Sequence, residues 1–256
     1  MAATVLSGTS GALYYKPAGT LGQFATTDVD TTGDDITVAP YLNFKVGDPV
    51  QFSVVNTTTG GAGTGTLPAG LSTSTTYYVI AYTASTGVLQ VSATSGGSAV
   101  DITDAGTATA PNKFQVEYDA FTSVSQVREW SFEITRDEID VTTIGATPGQ
   151  YVPFKTFIAG FADGSGSATV YFTDTDDALG NRMVEDVIQR IQTGAKFKLY
   201  TDQVFTSGSI DNTKSRSIEF EANLISANLA INPDDAQSVE ISFRPTNTPT
   251  FDFAKS

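Results

Sequence analysis

The stretch SIEFEANLI, Ser217–Ile225, decides how this chain is built. Ile218, Phe220, Ala222 and Leu224 fall on one side of an extended chain; Glu219, Glu221 and Asn223 fall on the other. Successive side chains of a strand point to opposite faces, so this run buries one face and wets the other. QSVEISFRP, Gln237–Pro245, repeats the pattern with Val239, Ile241 and Phe243 against Glu240, Ser242 and Arg244. REWSFEIT, Arg128–Thr135, does so with Trp130, Phe132 and Ile134 against Glu129, Ser131 and Glu133. One-sided alternation of this kind belongs to antiparallel sheets.

One segment changes period. In DTDDALGNRMVEDVIQRIQTG, Asp174–Gly194, the residues Val184, Val187, Ile188 and Ile191 recur at helical spacing. Asp174, Asp176 and Asp177 crowd its start, where the helix dipole favours anions, and Gly194 stands where a left-handed cap would end it. A single amphipathic helix covering one sheet is expected.

Residues 26–112 have a different character. They are rich in Thr, Gly and Ser, include the low-complexity loop NTTTGGAGTGTLPAG (Asn56–Gly70), and carry one base, Lys45. Their own strand runs are DPVQFSVV (Asp48–Val55), TTYYVIAY (Thr75–Tyr82) and GVLQVSAT (Gly87–Thr94), separated by turn signals. A module of roughly 85 residues lies within the usual size of a domain. The expected organisation is mainly β. One larger β domain with a helix against its strands is built from 1–25 and 113–256, and a small Ig-like β module, 26–112, is inserted into it.

Composition removes whole classes of chemistry. The 256 residues contain no cysteine and no histidine, which excludes disulfides, thiolate nucleophiles, imidazole bases and the triads built on them. With 40% hydrophobic residues and a mean hydropathy of −0.06, the chain is globular. No apolar run is long enough to span a membrane, and the run MAATVLSGTSGALYYKP does not read as a secretory signal. The net charge of −14 repels phosphate backbones and leaves no footprint for nucleic-acid affinity.

The remaining motifs have modest readings. The DTDD run lacks the spacing of a calcium loop and fits helix capping better than a metal. FADGSGSATV, Phe161–Val170, has no following Lys and reads as a Gly-Ser turn between strands, not a phosphate loop. Tyr77 and Tyr78 are candidates for stacking on sugars, although neighbours on a strand face opposite ways and at least one belongs to the core. Asp137, Glu138 and Asp140 in RDEID offer the paired carboxylates of a glycoside hydrolase, or exposed charge at a strand end. No cofactor or metal is expected.

The segment VREWSFEITRDEIDVTTIGATPGQYVPFKTFIAGFADGSGSATVYFTD, Val127–Asp174, resembles the middle of a bacteriophage tail tube protein. An aromatic strand enters an IDVTTIG-like segment, followed by a polar stretch, a DGSGSATV strand and a helix. The resemblance covers roughly 115–256 and more weakly 1–25. Gly47–Ile80 resembles small β modules of phage structural proteins. The family implies a two-sheet β-sandwich or barrel with one flanking α-helix, in hexameric rings stacked into a tube, assembled in the host cytoplasm and carried in the virion. It also implies tail terminator, baseplate or tip, and tape-measure partners, and DNA passing through the bore without adhering. On that reading Glu219 and Glu221 lead the candidates for lining the lumen, with Glu129, Glu133 and Glu240 next. Asp137, Glu138, Asp140, Thr142 and Gly145 are candidates for subunit or ring contacts, in a segment (Arg136–Phe154) expected between strands. The same acids also suit an outer, solvent-facing surface. The module is expected outside the tube, which favours a non-contractile tail. The alternatives are a surface adhesin or carbohydrate-binding module and a carboxylate-dependent hydrolase.

Overall fold

The computed structural model describes residues 10–125, 127–142, 155–171, 179–231 and 236–253. The first strands are β1 (Ala12–Lys16), β2 (Leu21–Phe24), β3 (Val29–Asp30), β4 (Asp35–Thr37), β5 (Pro49–Asn56), β6 (Tyr77–Thr83), β7 (Val88–Ser92) and β8 (Asn112–Tyr118). Then come β9 (Thr122–Ser123), β10 (Val127–Asp140), β11 (Phe157–Tyr171) and the helix α1 (Leu179–Ile188). The chain continues through β12 (Lys196–Asp202), β13 (Phe205–Thr206), β14 (Ser209–Ile210), β15 (Arg216–Ala230), β16 (Ser238–Pro245) and β17 (Thr250–Asp252).

The larger antiparallel sheet has the order β10-β11-β16-β15-β12-β1-β9, with β17 beside β15. One strand joins its two halves. Ser217–Glu221 of β15 pairs with β12, and Ala222–Ala230 pairs with β16. The halves share one core: Phe197 of β12 stacks on Phe243 of β16 with centroids 4.3 Å apart, and Phe220 stacks against Phe132 at 4.8 Å. Ile218, Phe220, Ala222, Leu224, Val239, Ile241 and Phe243 are all buried in it, as their alternation predicts. The sheet does not close into a barrel.

The expected turn at FADGSGSATV is absent; β11 runs straight through it. A Cβ on Gly166 would meet the Phe243 ring at 2.3 Å, and one on Gly164 would meet Pro245 at 3.2 Å. These glycines sit in a strand so that neighbouring side chains can lie on its backbone, the positional use of strand glycine. The segment Arg136–Asp140, expected between strands, is likewise strand, the end of β10.

The second sheet has the order β2-β8-β5-β6-β7-β4-β3 and a separate core that includes Phe24, Phe52, Tyr77, Leu89, Phe114 and Val116. The three strand runs read from sequence within 26–112 are β5, β6 and β7. Leu21–Phe24 and Asn112–Tyr118, at the expected junctions, also belong to this sheet and pair with each other.

Helix α1 joins the two cores through a buried face other than the one its apolar spacing suggests. Leu179, Arg182, Met183 and Asp186 are buried, while Ile188 is 87% exposed. Val184 and Val187 are only partly buried. The helix ends at Ile188; Gly194 is left-handed (φ +88°) but belongs to the later turn into β12. Asp174, Asp176 and Asp177 lie outside the described residues. The guanidinium of Arg182 donates to both Asp48 carboxylate oxygens, at 2.5 and 2.9 Å, and to the Asn43 carbonyl. Asp186 accepts from the Tyr15 hydroxyl at 2.7 Å, the Ala18 amide at 3.1 Å and Asn43 Nδ2 at 2.6 Å. Burial pushes the Asp186 carboxyl up, and these donors oppose it. Burial, reinforced by Asp186, pushes the Tyr15 phenol up strongly. The polar face of α1 thus has partners in both sheets' segments, which is why it is buried at the expense of Ile188.

Removing one partner of a buried ion pair strands the other. Asp48→Ala is expected to cost about 3–5 kcal/mol in urea unfolding. The double variant Asp48→Leu/Arg182→Met, which leaves no orphaned charge, is expected to recover most of that loss. Equal losses in both would contradict a role for the pair.

Candidate functional site

The half of the large sheet formed by β10, β11, β16 and the end of β15 presents a solvent face written in rows. Glu129, Thr169, Glu240 and Asn228 lie opposite one another across the four strands. The next row is Ser131, Ser167, Ser242 and Ser226, and the Ser131 and Ser167 hydroxyls are 3.1 Å apart. Beyond it stand Glu133 opposite Ser165 and Arg244 opposite Asn223. Among the described residues Glu129, Glu133 and Glu240 have no ion-pair partner within 4 Å. Arg244 is bound to Asp163, its Nε 3.2 Å from Oδ1. This face therefore carries hydroxyls and uncompensated carboxylates.

Glu219 and Glu221 stand elsewhere, on the other half of the sheet. Register places Glu219 opposite Lys198 and Glu221 opposite Lys196, with Nζ–Oε distances of 3.6 and 3.5 Å. Lys16 lies 3.9 Å from Glu117 on the same side. The two β12–β15 pairs are cross-strand pairs, worth roughly 0.2–1 kcal/mol each. The five carboxylates expected to act together are divided between an acidic face and a charge-balanced one. Glu219 and Glu221, first among the expected residues, have their charge matched by lysines, and Glu129, Glu133 and Glu240 do not.

The third group of expected residues lies on an arm. β16 stops at Pro245, so beyond Gly164 the β10–β11 pair runs on without a third strand. Its apolar residues are uncovered, Phe161 most of all at 86% exposure, with Ile134, Ile139, Phe157 and Ile158. A bulge between Arg136 and Glu138 leaves Asp137 unpaired beside Gly160, where a Cβ would meet that of Asp137 at 2.9 Å. Asp137 and Glu138 are exposed. Asp140 accepts from the Thr142 amide at 2.9 Å and pairs with Lys155 at 3.2 Å; Thr142 Oγ1 accepts from the Thr156 amide. Gly145 lies outside the described residues.

Two exposed carboxylates on or beside the arm are held in their charged form. Hydrogen bonds from Thr142, then Lys155, hold Asp140 below the usual carboxylate range. Arg244 does the same to Asp163. Tyr77 is buried and its hydroxyl bonds the Gly70 carbonyl and the Ser72 amide, so it belongs to the small sheet's core. Among the described residues no three carboxylates gather to hold a metal ion. No described helix is long and apolar enough to cross a membrane.

No protein-family model matches the sequence and no curated protein matches it. Solved structures match about half of the chain at low similarity. A chain in the virion of a native gene transfer agent particle matches over 52% of this chain and 88% of its own, with 15% identity and a TM-score of 0.37. One in the tail of an empty gene transfer agent particle, with C6 symmetry, matches over 52% and 86%, with 16% identity and a TM-score of 0.36. The SPP1 tail tube matches over 54% and 70%, with 16% identity and a TM-score of 0.35.

Acid is expected to loosen the base of the arm. A carboxylate depressed in the folded state stabilises above its unfolded value, about pH 3.9, and that contribution is lost as pH falls through the folded value. Amide exchange at Gly164, whose N–H donates to Asp163, should therefore rise relative to the β16 core below about pH 4, after correction for intrinsic rates. Asp163→Asn should remove this pH dependence. A constant ratio in the original chain would contradict the assignment.

Proposed function

We propose that the chain is a structural subunit of a phage-type tail tube. Copies join side by side into hexameric rings that stack around a bore conducting DNA. The observation that carries this reading is the four-stranded half-sheet with two edges unpaired among the described residues and an acidic, hydroxyl-rich face. Its strands alternate in direction, so β10 and the end of β15 run antiparallel to each other. Rotation about an axis brings the β15 edge of one copy beside β10 of the next in antiparallel order. Such a heterologous contact closes a ring and removes both exposed edges.

Six four-stranded faces supply twenty-four strands, above the 16–18 at which barrels enclose an aqueous channel. Strands about 4.8 Å apart and tilted about 40° close at a backbone diameter of about 48 Å, wide enough for a duplex. Glu129, Glu133 and Glu240 then face the bore, and the balanced Lys–Glu rows face outward. DNA carries one negative charge per about 1.7 Å, and the Debye length is about 8 Å at physiological salt. Unpaired wall carboxylates within that range keep the duplex from adhering.

The module suits the exterior. Its connections leave the sheet at β1 and β9, at the opposite end of the strand order from β10. An external module of this size is easier to reconcile with a non-contractile tail. The uncovered apolar arm, with Asp137, Glu138, Asp140 and Thr142, serves contacts between subunits or rings. Tail terminator, tip and tape-measure proteins are the further partners of such a tube.

Negative-stain microscopy of the purified chain at high concentration is expected to reveal sixfold rings or tubes. Persistent monomers would defeat the reading, and hydrolysis lost on replacing Glu138 and Asp140 would establish an enzyme instead. In assembled particles, combined Glu129→Lys, Glu133→Lys and Glu240→Lys should slow DNA ejection. Glu219→Lys with Glu221→Lys, facing lysines, should leave ejection intact and lower stability by about 1 kcal/mol per pair. The reverse outcome would place the bore on the other face.

A further inference from the structure

A groove of about 720 Å³ lies where the small sheet meets the end of α1, lined by Tyr41, Phe44, Lys45, Tyr82, Gln189 and Arg190 among others. Its volume falls within the range of small-ligand sites. The feature that singles it out is Tyr41. This residue has a left-handed backbone, φ +63°, although it is neither glycine nor a small polar residue. For a bulky side chain that conformation is an outlier, and it persists only where the surroundings impose it. Here they do. The Tyr41 amide donates to the Ala84 carbonyl at 2.8 Å, and Gln189 Nε2 donates to the Tyr41 carbonyl at 3.0 Å. The next amide, Leu42, donates to the Tyr82 hydroxyl at 2.9 Å.

Tyr41 is 60% exposed, and its hydroxyl has no partner among the described residues. Glycine would fill the same backbone position without strain. An exposed aromatic face on a backbone fixed by hydrogen bonds, at the edge of a groove, is a stacking platform. The charges beside it decide what would stack. Lys45 is paired with Glu185. Arg190 is exposed and, among the described residues, has no carboxylate partner. Its planar fork matches a carboxylate bidentately.

We propose that this groove binds a carboxylate-bearing pyranose, such as a uronic acid unit of a surface polysaccharide, with Tyr41 stacking on the sugar and Arg190 holding the carboxylate. The site goes beyond the tube reading and does not depend on it. It gives the module an activity of its own, weak for one copy and multiplied wherever many copies are displayed together.

The test titrates the full chain with a glucuronate-containing tetrasaccharide, and separately with an all-glucose tetrasaccharide, by heteronuclear NMR. The range extends to about 10 mM, tenfold above a millimolar dissociation constant. Perturbations from the acidic sugar should centre on Tyr41, Ala84 and Arg190. Tyr41→Gly removes the ring and the strain together; it should weaken binding at least tenfold without lowering Tm. Arg190→Gln should reduce the preference for the acidic sugar. No perturbation by either sugar, perturbation centred elsewhere, equal or tighter binding of the neutral sugar, or undiminished binding by Tyr41→Gly would each overturn the proposal. Ring formation in Tyr41→Gly, followed by microscopy, should be unchanged, so failure here is distinguishable from failure of the tube reading.

Discussion

The larger domain depends on the alternation carried by β15. Ile218, Phe220, Ala222 and Leu224 point inward along one continuous strand, while its hydrogen-bonding partners change at Glu221–Ala222 from β12 to β16. A strand that serves two halves of a sheet forces their inner faces together, and the stacked rings of Phe197, Phe220 and Phe243 fill the space between. Slipping the register by one residue would bury Glu219 and Glu221 and expose Phe220. A bulge after Leu224 ends the strict pattern, and beyond it Leu229 and Ile231 are half or more exposed. The strand therefore builds a core at one end and presents an unfinished edge at the other. The arm of β10 and β11 repeats that division, buried near Phe132 and bare at Phe161.

The second sheet is attached by polar contacts as well as by chain connections. Arg182 and Asp186, one turn apart on α1, reach Asp48 and Asn43 in the small sheet's loops and Tyr15 in the large sheet. Such groups contribute little net stability when paired and cost much when separated. Their value is geometric: a bidentate guanidinium–carboxylate pair has one good arrangement, which favours one seating of the helix against the loop. The Tyr41 groove borrows the same seating, since Gln189 follows directly after the helix.

The strand alternations in Ser217–Ile225, Gln237–Pro245 and Arg128–Thr135 were legible because burial on one face is a local pattern. So were three strands of the small sheet. Gly164 and Gly166 misled because a glycine pair reads as a turn unless the partner that needs the space, Phe243 or Pro245, is known to be adjacent. The helix was legible as a helix but its face was not. Its buried side holds Arg182 and Asp186, and a polar residue announces burial only through partners distant in sequence. The same reason hid the division of the carboxylates. Glu219 and Glu240 look alike in their own strands, and only the register with β12 gives the first a lysine. The left-handed Tyr41 carries no local sequence mark, because the bonds that impose it come from Ala84, Tyr82 and Gln189.

The central claim is that the open edges at β10 and the end of β15 join neighbouring copies into one continuous antiparallel wall. The absence of native cysteine allows a direct measurement. Single cysteines placed along Glu129–Glu133 are combined with single cysteines along Asn223–Ala230, and concentrated protein is oxidised and run under denaturing conditions. The account predicts that at least one combination gives a covalent ladder ending at six chains, while each single-cysteine parent stays unlinked. Monomers throughout, or dimers alone, would contradict it.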